Sequence, residues 1–583
     1  MVYARIAAAS TLATAAWLVG LESIALGDPG GSFSKHVVVA QEGNAADAGR
    51  DALRAGGNAI DAAVATAFAL AATLPEAGNL GGGGFIVAYL PKTREVVTVD
   101  FRETAPAAST PRMYLDDKGE LRARHRAGAW AAGVPGTVRG LGLAHSRWGV
   151  RPWRELVLPA VRLAREGFAI SGELAEALNN QLRPATVEPR GGTRRAFHGR
   201  LADFPESVAA YQRPDGQPWK AGDRLVQPDL AATLERIADG GPDEFYRGKT
   251  AELIAAYMAG HDGFITREDL AGYQAKERPP VKTTFRGHEV YGVGPASSGG
   301  VVLCQMLNIL ERYDLKAEGR ESGRTIHRVT EAMRRAYFTR AARLADPDFV
   351  EVPTAELTSK AAADALAETI GERATPSASL APFPILSAET NHTTHLSVVD
   401  GDGGAVALTY TLEDSYGAKA VVKGAVFLLN NEMGDFNLRP GRTDDAGAIG
   451  TDPNLIAPGK RMLSSQCPTL AIKDGVVRLV AGSPGGRTIP NTTLWVVLDV
   501  LEFGLDARAA VAAPRTHHQW FPDVLNLEGR DWPEATLKDL TARGHAWRTG
   551  GRQGCANTIV VDADGLRHGA PDPRRATTKA SGD

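Results

Sequence analysis

The chain has 583 residues, with 65 Lys and Arg against 68 Asp and Glu and a formal net charge of −3 at pH 7. That near-balance gives no electrostatic reason to expect nucleic acid as a partner and leaves small molecules as the favoured class. Three scattered cysteines, Cys304, Cys467 and Cys555, cannot form a fully paired disulfide framework, and Cys467 reads as a small buried hydrophobe.

Length alone suggests about four domains. The N-terminus carries one basic residue, Arg5, then an apolar run from Ile6 to Leu26 that breaks at Gly27-Asp28-Pro29-Gly30-Gly31. Residues 1–27 therefore read as a secretory signal peptide, despite the thin basic region and Glu22, and predict a periplasmic or secreted protein. The alternative is a retained anchor, because the run approaches the ~20 residues that span a bilayer.

Val37–Ala40 is a short predicted strand. Ala45 to Ala72 reads as two deeply buried helices joined by a glycine C-cap at Gly56-Gly57-Asn58. The glycine run from Gly78 to Phe85 lacks the lysine of a nucleotide loop and precedes a strand, Ile86 to Leu90, so it predicts close backbone packing. Val96 to Pro106 alternates as a strand does and ends in Arg102. Residues 152–275 look mainly helical, with turns at Arg190-Gly191-Gly192 and Pro214-Asp215-Gly216. Pro295 to Gly300 caps a helix beginning at Val301, and Ser298 stands outside any Gly-x-Ser-x-Gly elbow, which argues against an α/β-hydrolase. Thr325 to Leu344 predicts a long helix whose His327, Glu331 and Arg335 form one salt-bridged stripe. Ala374 to Ala388, rich in Pro, Ser and Thr, predicts a flexible approach to the segment beyond it.

That segment is Asn391-His392-Thr393-Thr394-His395-Leu396-Ser397-Val398-Val399-Asp400. One reading is an ordinary strand entry rich in β-branched residues; Asn391-His392-Thr393 also fits a glycosylation sequon. His392 and His395 lack a third zinc ligand at a recognised spacing, and His517-His518 are too close together to chelate one ion easily. The chemically richer reading is self-cleavage between His392 and Thr393. The freed α-amine, titrating near pH ~7.7 to 8.0, would then serve as base to the hydroxyl of its own residue. Further strands are predicted at His395–Asp400, Ala405–Tyr410, Ala425–Leu429, Thr469–Lys473, Val477–Ala481, Val524–Leu527 and Thr558–Val561, with a helix at Thr492–Phe503. The polar tail from Pro573 to Asp583 predicts disorder.

Downstream of Thr393 come Thr409-Tyr410-Thr411-Leu412-Glu413, Leu429-Asn430-Asn431-Glu432-Met433-Gly434-Asp435-Phe436, Lys460-Arg461-Met462-Leu463-Ser464-Ser465 and Gly482-Ser483-Pro484-Gly485-Gly486. With Asp100-Phe101-Arg102-Glu103-Thr104-Ala105-Pro106 upstream, this series resembles the γ-glutamyltransferase family of N-terminal-nucleophile hydrolases.

The resemblance implies an α+β, four-layer αββα sandwich built jointly by a large subunit, residues 28–392, and a small catalytic subunit, residues 393–583. It implies that His392–Thr393 is the cleavage site, that Thr393 is the nucleophile, that Thr411 supports it, and that Gly485 and Gly486 line an oxyanion hole. It makes Arg102, Ser464 and Ser465 binders of the substrate α-carboxylate, and Glu413, Glu432 and Asp435 the set around its α-amine. No metal or organic cofactor is implied. The partners are a small γ-glutamyl substrate and a water or amine acceptor, with the two subunits of one precursor held as a heterodimer. Two positions depart from the pattern: Glu413 stands where many relatives have asparagine, and Ala446, in the lid-like segment Gly441 to Lys460, replaces a tyrosine that closes the pocket in some relatives. A wider entrance raises the alternative of a cephalosporin or glutaryl acylase on the same scaffold. A second alternative is an uncleaved, non-catalytic binding homologue.

Overall fold

β-Branched segments with alternating faces build two seven-stranded antiparallel sheets. The computed structural model describes residues 28–122, 125–184, 199–380, 393–443, 449–529 and 531–583. The signal segment, the turn at Arg190, His392 and Ala446 lie outside the described residues.

The first sheet runs in the order Lys579–Gly582, Val37–Ala40, Thr393–Val399, Ala405–Thr411, Gly83–Leu90, Glu95–Asp100 and Lys276–Arg278. The second runs Gly31–Phe33, Arg567–Ala570, Thr558–Val561, Val476–Ala481, Thr469–Lys473, His288–Gly292 and Val281–Phe285. Strands from both ends of the chain thus neighbour one another, and the four domains suggested by length collapse into one interleaved body.

The inner faces meet through Val37, Val39, Phe85, Val87 and Ala407 of the first sheet and Leu470, Ile472, Val480 and Ile559 of the second. Each such large side chain, fully buried, contributes roughly 1.5–3 kcal/mol. On the outer face of the first sheet, Val38, Ile86, Leu396, Val398 and Leu408 pack in one cluster with the helices Gly43–Arg54, Ala59–Thr73 and Trp153–Glu166. On the outer face of the second, Val290, Ala471 and Leu479 pack with Gly299–Leu310, Gly323–Arg343 and Ile489–Leu501. The layers are therefore helix, sheet, sheet, helix. Among the described residues no helix is long and apolar enough to cross a membrane.

The predicted helix pair is found as Gly43–Arg54 and Ala59–Thr73, the latter buried at every residue and started by a capping box of Asn58 with Asp61. The glycine run does pack closely: a Cβ on Gly82 would lie 1.9 Å from the Thr411 carbonyl oxygen, and one on Gly84 would lie 2.3 Å from that of Thr409. Cys467 is a buried part of the second core, as expected.

Three expectations are corrected. The tail forms the edge strand Lys579–Gly582 on Val37–Ala40, and Asp583 pairs with Arg54. Ala425–Leu429 is a loop, because Gly424 and Val426 take positive φ values of 76° and 47°. The described part of the approach segment is fastened: the Ala374 amide donates to the Arg543 carbonyl at 2.9 Å and the Ser377 amide to Asp523 at 2.8 Å. The predicted stripe, for its part, holds only in part. Glu331 pairs with Arg335 at 2.6 Å, whereas His327 turns to His545, Nδ1 to Nε2, at 2.8 Å.

Candidate active site

Thr393 heads a strand whose seven residues are all buried, and pairs across the ladder with Thr411. Because strand side chains alternate, Thr393, His395, Ser397 and Val399 share the inter-sheet face, as do Thr411 and Thr409 opposite them. The Thr393 hydroxyl donates to the Thr411 hydroxyl at 3.2 Å, and Thr411 Oγ1 also accepts from the Glu413 amide at 2.8 Å. Thr411 is thus fixed from its other side, and its hydroxyl hands that fixed position on to Thr393.

Beneath this pair lies a polar column that sequence reasoning missed. His395 Nδ1 meets Thr409 Oγ1 at 2.8 Å and its Nε2 meets Ser397 Oγ at 3.1 Å. Ser397 donates to the Asn557 carbonyl at 2.8 Å, and Asn557 Nδ2 returns a bond to the His395 carbonyl at 2.9 Å. Burial pushes the His395 pKa down to about 3, so the ring is neutral. It sits against Gly482, where a Cβ would lie 2.4 Å from the ring. The signal was the histidine two residues after Thr393, on the same strand face.

Gly482 opens the loop that carries Gly485 and Gly486. Both of these take positive φ, 129° and 51°, and a Cβ on Gly485 would strike Thr488 Oγ1 at 2.4 Å. Among the described residues no acceptor takes the amide of either glycine. Two adjacent amides of this kind form a concave donor pair of the sort that stabilises developing negative charge.

A small cavity of about 10 Å³ brings together Arg102, Thr393, Thr411, Glu413, Asp435, Ser464, Ser465 and Gly486. Glu432 stands just behind it, its carboxylate 2.7 Å from Arg102 Nη1. All of the predicted site residues described by the structure therefore converge. Arg102 is 1% exposed and pairs with both Glu432 and Asp435, while Glu103 lies 3.5 Å away. Burial opposes its charge, but Glu432, Glu103 and Asp435 outweigh that and hold its pKa above the usual arginine value. The carboxylates are strained in the opposite direction. Burial and the neighbouring acid charges hold Glu432 well above the usual range against the opposing pull of Arg102, and Glu413 is likewise raised by burial, Asp435 and Asp414. Glu103 is pushed up to about 8, chiefly by burial. Glu103, Glu413, Glu432 and Asp435 all act on the single guanidinium of Arg102. The pocket is acid-rich and suits a ligand that brings a cation together with a carboxylate.

Other supporting residues carried weaker sequence signals. Arg126 pairs with Asp414 at 3.2 Å and lies 3.7 Å from Glu413. Asn431 Nδ2 donates to Asp414 at 2.8 Å, and Asn430 ties the same turn to the Gly81 and Gly133 carbonyls at 2.8 Å. The Ser298 amide and hydroxyl both donate to the Ser464 carbonyl, at 2.9 and 2.7 Å, so the Pro295–Gly300 turn does more than cap a helix: it sets Ser464.

Among the described residues, two clusters of acidic or histidine side chains have ligand atoms within 4.8 Å of one another. His327, Glu331 and His545 are already engaged: the two rings bond each other, and Glu331 faces Arg334 and Arg335. Glu413, Glu432 and Asp435 face Arg102, an arrangement that answers an ammonium group better than a divalent ion.

On its far side Thr393 also opens on a cleft of about 1140 Å³, lined on one wall by Gly485, Thr488 and Gly554.

The four-layer sandwich is that of the N-terminal-nucleophile hydrolases. More narrowly, residues 45–582 match the family described as Gamma-glutamyltranspeptidase, and the chain belongs to that family. It is 43% identical over 548 residues to the glutathione hydrolase proenzyme of Escherichia coli K12, covering 94% of this chain and 91% of that one. It is 37% identical to the acylase ACY 1 proenzyme of a Pseudomonas species, strain SE83, over 92% of each. Its structure is similar to that of cephalosporin acylase from Bacillus halodurans, with a TM-score of 0.81, 25% identity and coverage of 95% of this chain and 97% of the other.

Proposed function

We propose that the chain is an exported, self-processing γ-glutamyl hydrolase and transferase that acts on γ-glutamyl amides such as glutathione through a threonyl ester. The observation that carries this reading is the Thr393 hydroxyl, 3.2 Å from Thr411, poised between an acid-rich pocket that also holds a buried arginine and an open cleft.

In maturation, Thr393 Oγ attacks the His392 carbonyl carbon, the C–N bond breaks, and water opens the resulting ester. The products are a large subunit ending at His392 and a small one beginning at Thr393 with a free amine. In turnover that amine takes the hydroxyl proton as Oγ attacks the γ-carbonyl, and gives it to the departing amine. The Gly485 and Gly486 amides stabilise the tetrahedral oxygen; losing one such donor costs roughly 10²-fold or more. At the other end of the glutamyl group, Arg102 with Ser464 and Ser465 takes the α-carboxylate. The ammonium displaces Arg102 as partner of Glu432 and Asp435, with Glu413 adjoining. Neither a metal nor an organic cofactor is needed for these steps.

The 37% identity to an acylase keeps an acylase as a second reading, for which the substrate considered is a glutaryl amide. A glutaryl group offers Arg102 its carboxylate but brings no cation, so Glu432 and Asp435 would be left poorly compensated in a buried site. The test is expression followed by denaturing electrophoresis and sequencing of the smaller fragment. Thr-Thr-His-Leu-Ser is expected at its start, with faster cleavage of γ-glutamyl than of glutaryl anilide. Thr393→Ala should remain one chain and hydrolyse neither substrate; normal cleavage of that variant overturns the reading.

A further inference from the structure

The cleft beyond Thr393 takes no part in holding the γ-glutamyl group, yet whatever leaves or attacks the acyl ester must pass through it. Among the described residues, six charged ones line it: Glu42, Glu76, Glu173, Arg552, Arg574 and Arg575. Most are already committed. Glu42 caps the helix Gly43–Arg54, accepting from the Asn44 and Ala45 amides at 3.1 and 3.0 Å. Glu76 pairs with Arg575, and Arg574 pairs with Glu528 and Asp572. Glu173 accepts from the Ala576 amide at 3.4 Å.

Arg552 differs. Its Nη1 donates to the Arg574 carbonyl at 2.7 Å, and among the described residues no carboxylate pairs with it. Its position is set by the loop it shares with Gly554, which touches the oxyanion loop: a Cβ on Gly485 would lie 3.5 Å from Gly554 Cα. Arg552 and Gly554 line the same cleft as Thr393.

Resting on the acyl-transfer role of Thr393, we propose that this cleft seats the amine half of the reaction and that Arg552 selects amines bearing a free carboxylate, amino acids or short peptides. In acylation the amide C–N bond breaks and the departing peptide leaves with the proton relayed from Thr393. In deacylation an acceptor amine attacks the ester carbonyl, the bond to Thr393 Oγ breaks, and the acceptor's proton returns to that oxygen. In both directions the guanidinium holds the same carboxylate, so one contact sets both leaving-group and acceptor preference.

The experiment compares glutathione, whose leaving group carries a carboxylate, with a neutral γ-glutamyl anilide, in wild type, Arg552→Gln and Arg552→Lys. Removing a charge-assisted hydrogen bond in a partly exposed cleft is expected to lower kcat/KM for glutathione about 5- to 10-fold. The anilide should change less than 2-fold, and Arg552→Lys should restore part of the loss. Equal losses on both substrates, or no loss on glutathione, overturn the assignment while leaving the proposed function standing. If wild type cleaves neither substrate, the proposed function fails and this inference falls with it.

Discussion

Adding one methyl group at Gly482 should misplace Thr393, the proposed nucleophile, and the size of the effect follows from the packing of His395. The new Cβ would lie 2.4, 2.5 and 2.9 Å from three atoms of the imidazole ring. The ring cannot swing away, because Thr409 and Ser397 hold its two nitrogens at 2.8 and 3.1 Å and it is completely buried. Relief must come from the backbone, either of the strand that begins at Thr393 or of the loop that carries Gly485 and Gly486. Overpacking of this kind costs about 1–3 kcal/mol. A displacement of even a fraction of an ångström between the Thr393 hydroxyl and the proposed oxyanion donors, the Gly485 and Gly486 amides, is expected to slow turnover about 10- to 100-fold. The assay is a double-mutant cycle of Gly482→Ala with His395→Ala, following thermal stability and the rate on γ-glutamyl anilide. Each single variant should be impaired, and Gly482→Ala should cost little once the ring is gone, giving a coupling of about 1 kcal/mol or more. Purely additive losses would refute the argument that the ring and the loop are in contact.

Acid sensitivity should arise from imidazoles that burial keeps neutral: His395 near 3, His517 and His518 near 4 and His545 near 3. Their folded pKa values are depressed, so the unfolded chain binds more protons. Stability should then fall as pH drops below about 6.5, by up to ~1.4 kcal/mol per unit per ring, and the slope between pH 6.5 and 4.5 should flatten in His395→Gln, measured by denaturant titration. Arg102→Lys keeps the charge but loses the fork that spans Glu432 and Asp435; KM for γ-glutamyl anilide should rise at least 10-fold, and an unchanged KM would remove Arg102 from the carboxylate site. Deleting Lys579–Asp583 strips an edge strand and the Arg54 partner, exposing the apolar strand Val37–Ala40; a melting temperature several degrees lower and greater aggregation are expected.

Local chemistry made parts of this molecule readable from sequence. The two early helices declared themselves by their apolar faces and by the glycine break at Gly56-Gly57-Asn58, and the candidate site residues came from motifs that resemble those of a known family. What escaped depended on distant partners. Lys579-Ala580-Ser581-Gly582 has no strand-like alternation, and it is a strand because Val37–Ala40 offers it an edge. Ala425 to Leu429 has the composition of a strand, but positive φ at Gly424 and Val426 breaks it. His395 could be read as an incomplete zinc ligand until the register set it opposite Thr409 and the second sheet brought up Gly482 and Asn557. Arg126 and Ser298 gain their meaning only from contacts with Asp414 and Ser464, nearly 300 and more than 160 positions away respectively.

The order of strands in the first sheet carries a consequence for the matured protein. Thr393–Val399 is flanked by Val37–Ala40 on one side and Ala405–Thr411 on the other, and Gly83–Leu90 comes next, so segments from before and after the proposed cut at Thr393 alternate like the fingers of clasped hands. Severing the backbone leaves that clasp intact. Neither half could depart without dismantling the sheet, and a sample once fully denatured would face a bimolecular reunion that the newly made precursor never had to perform.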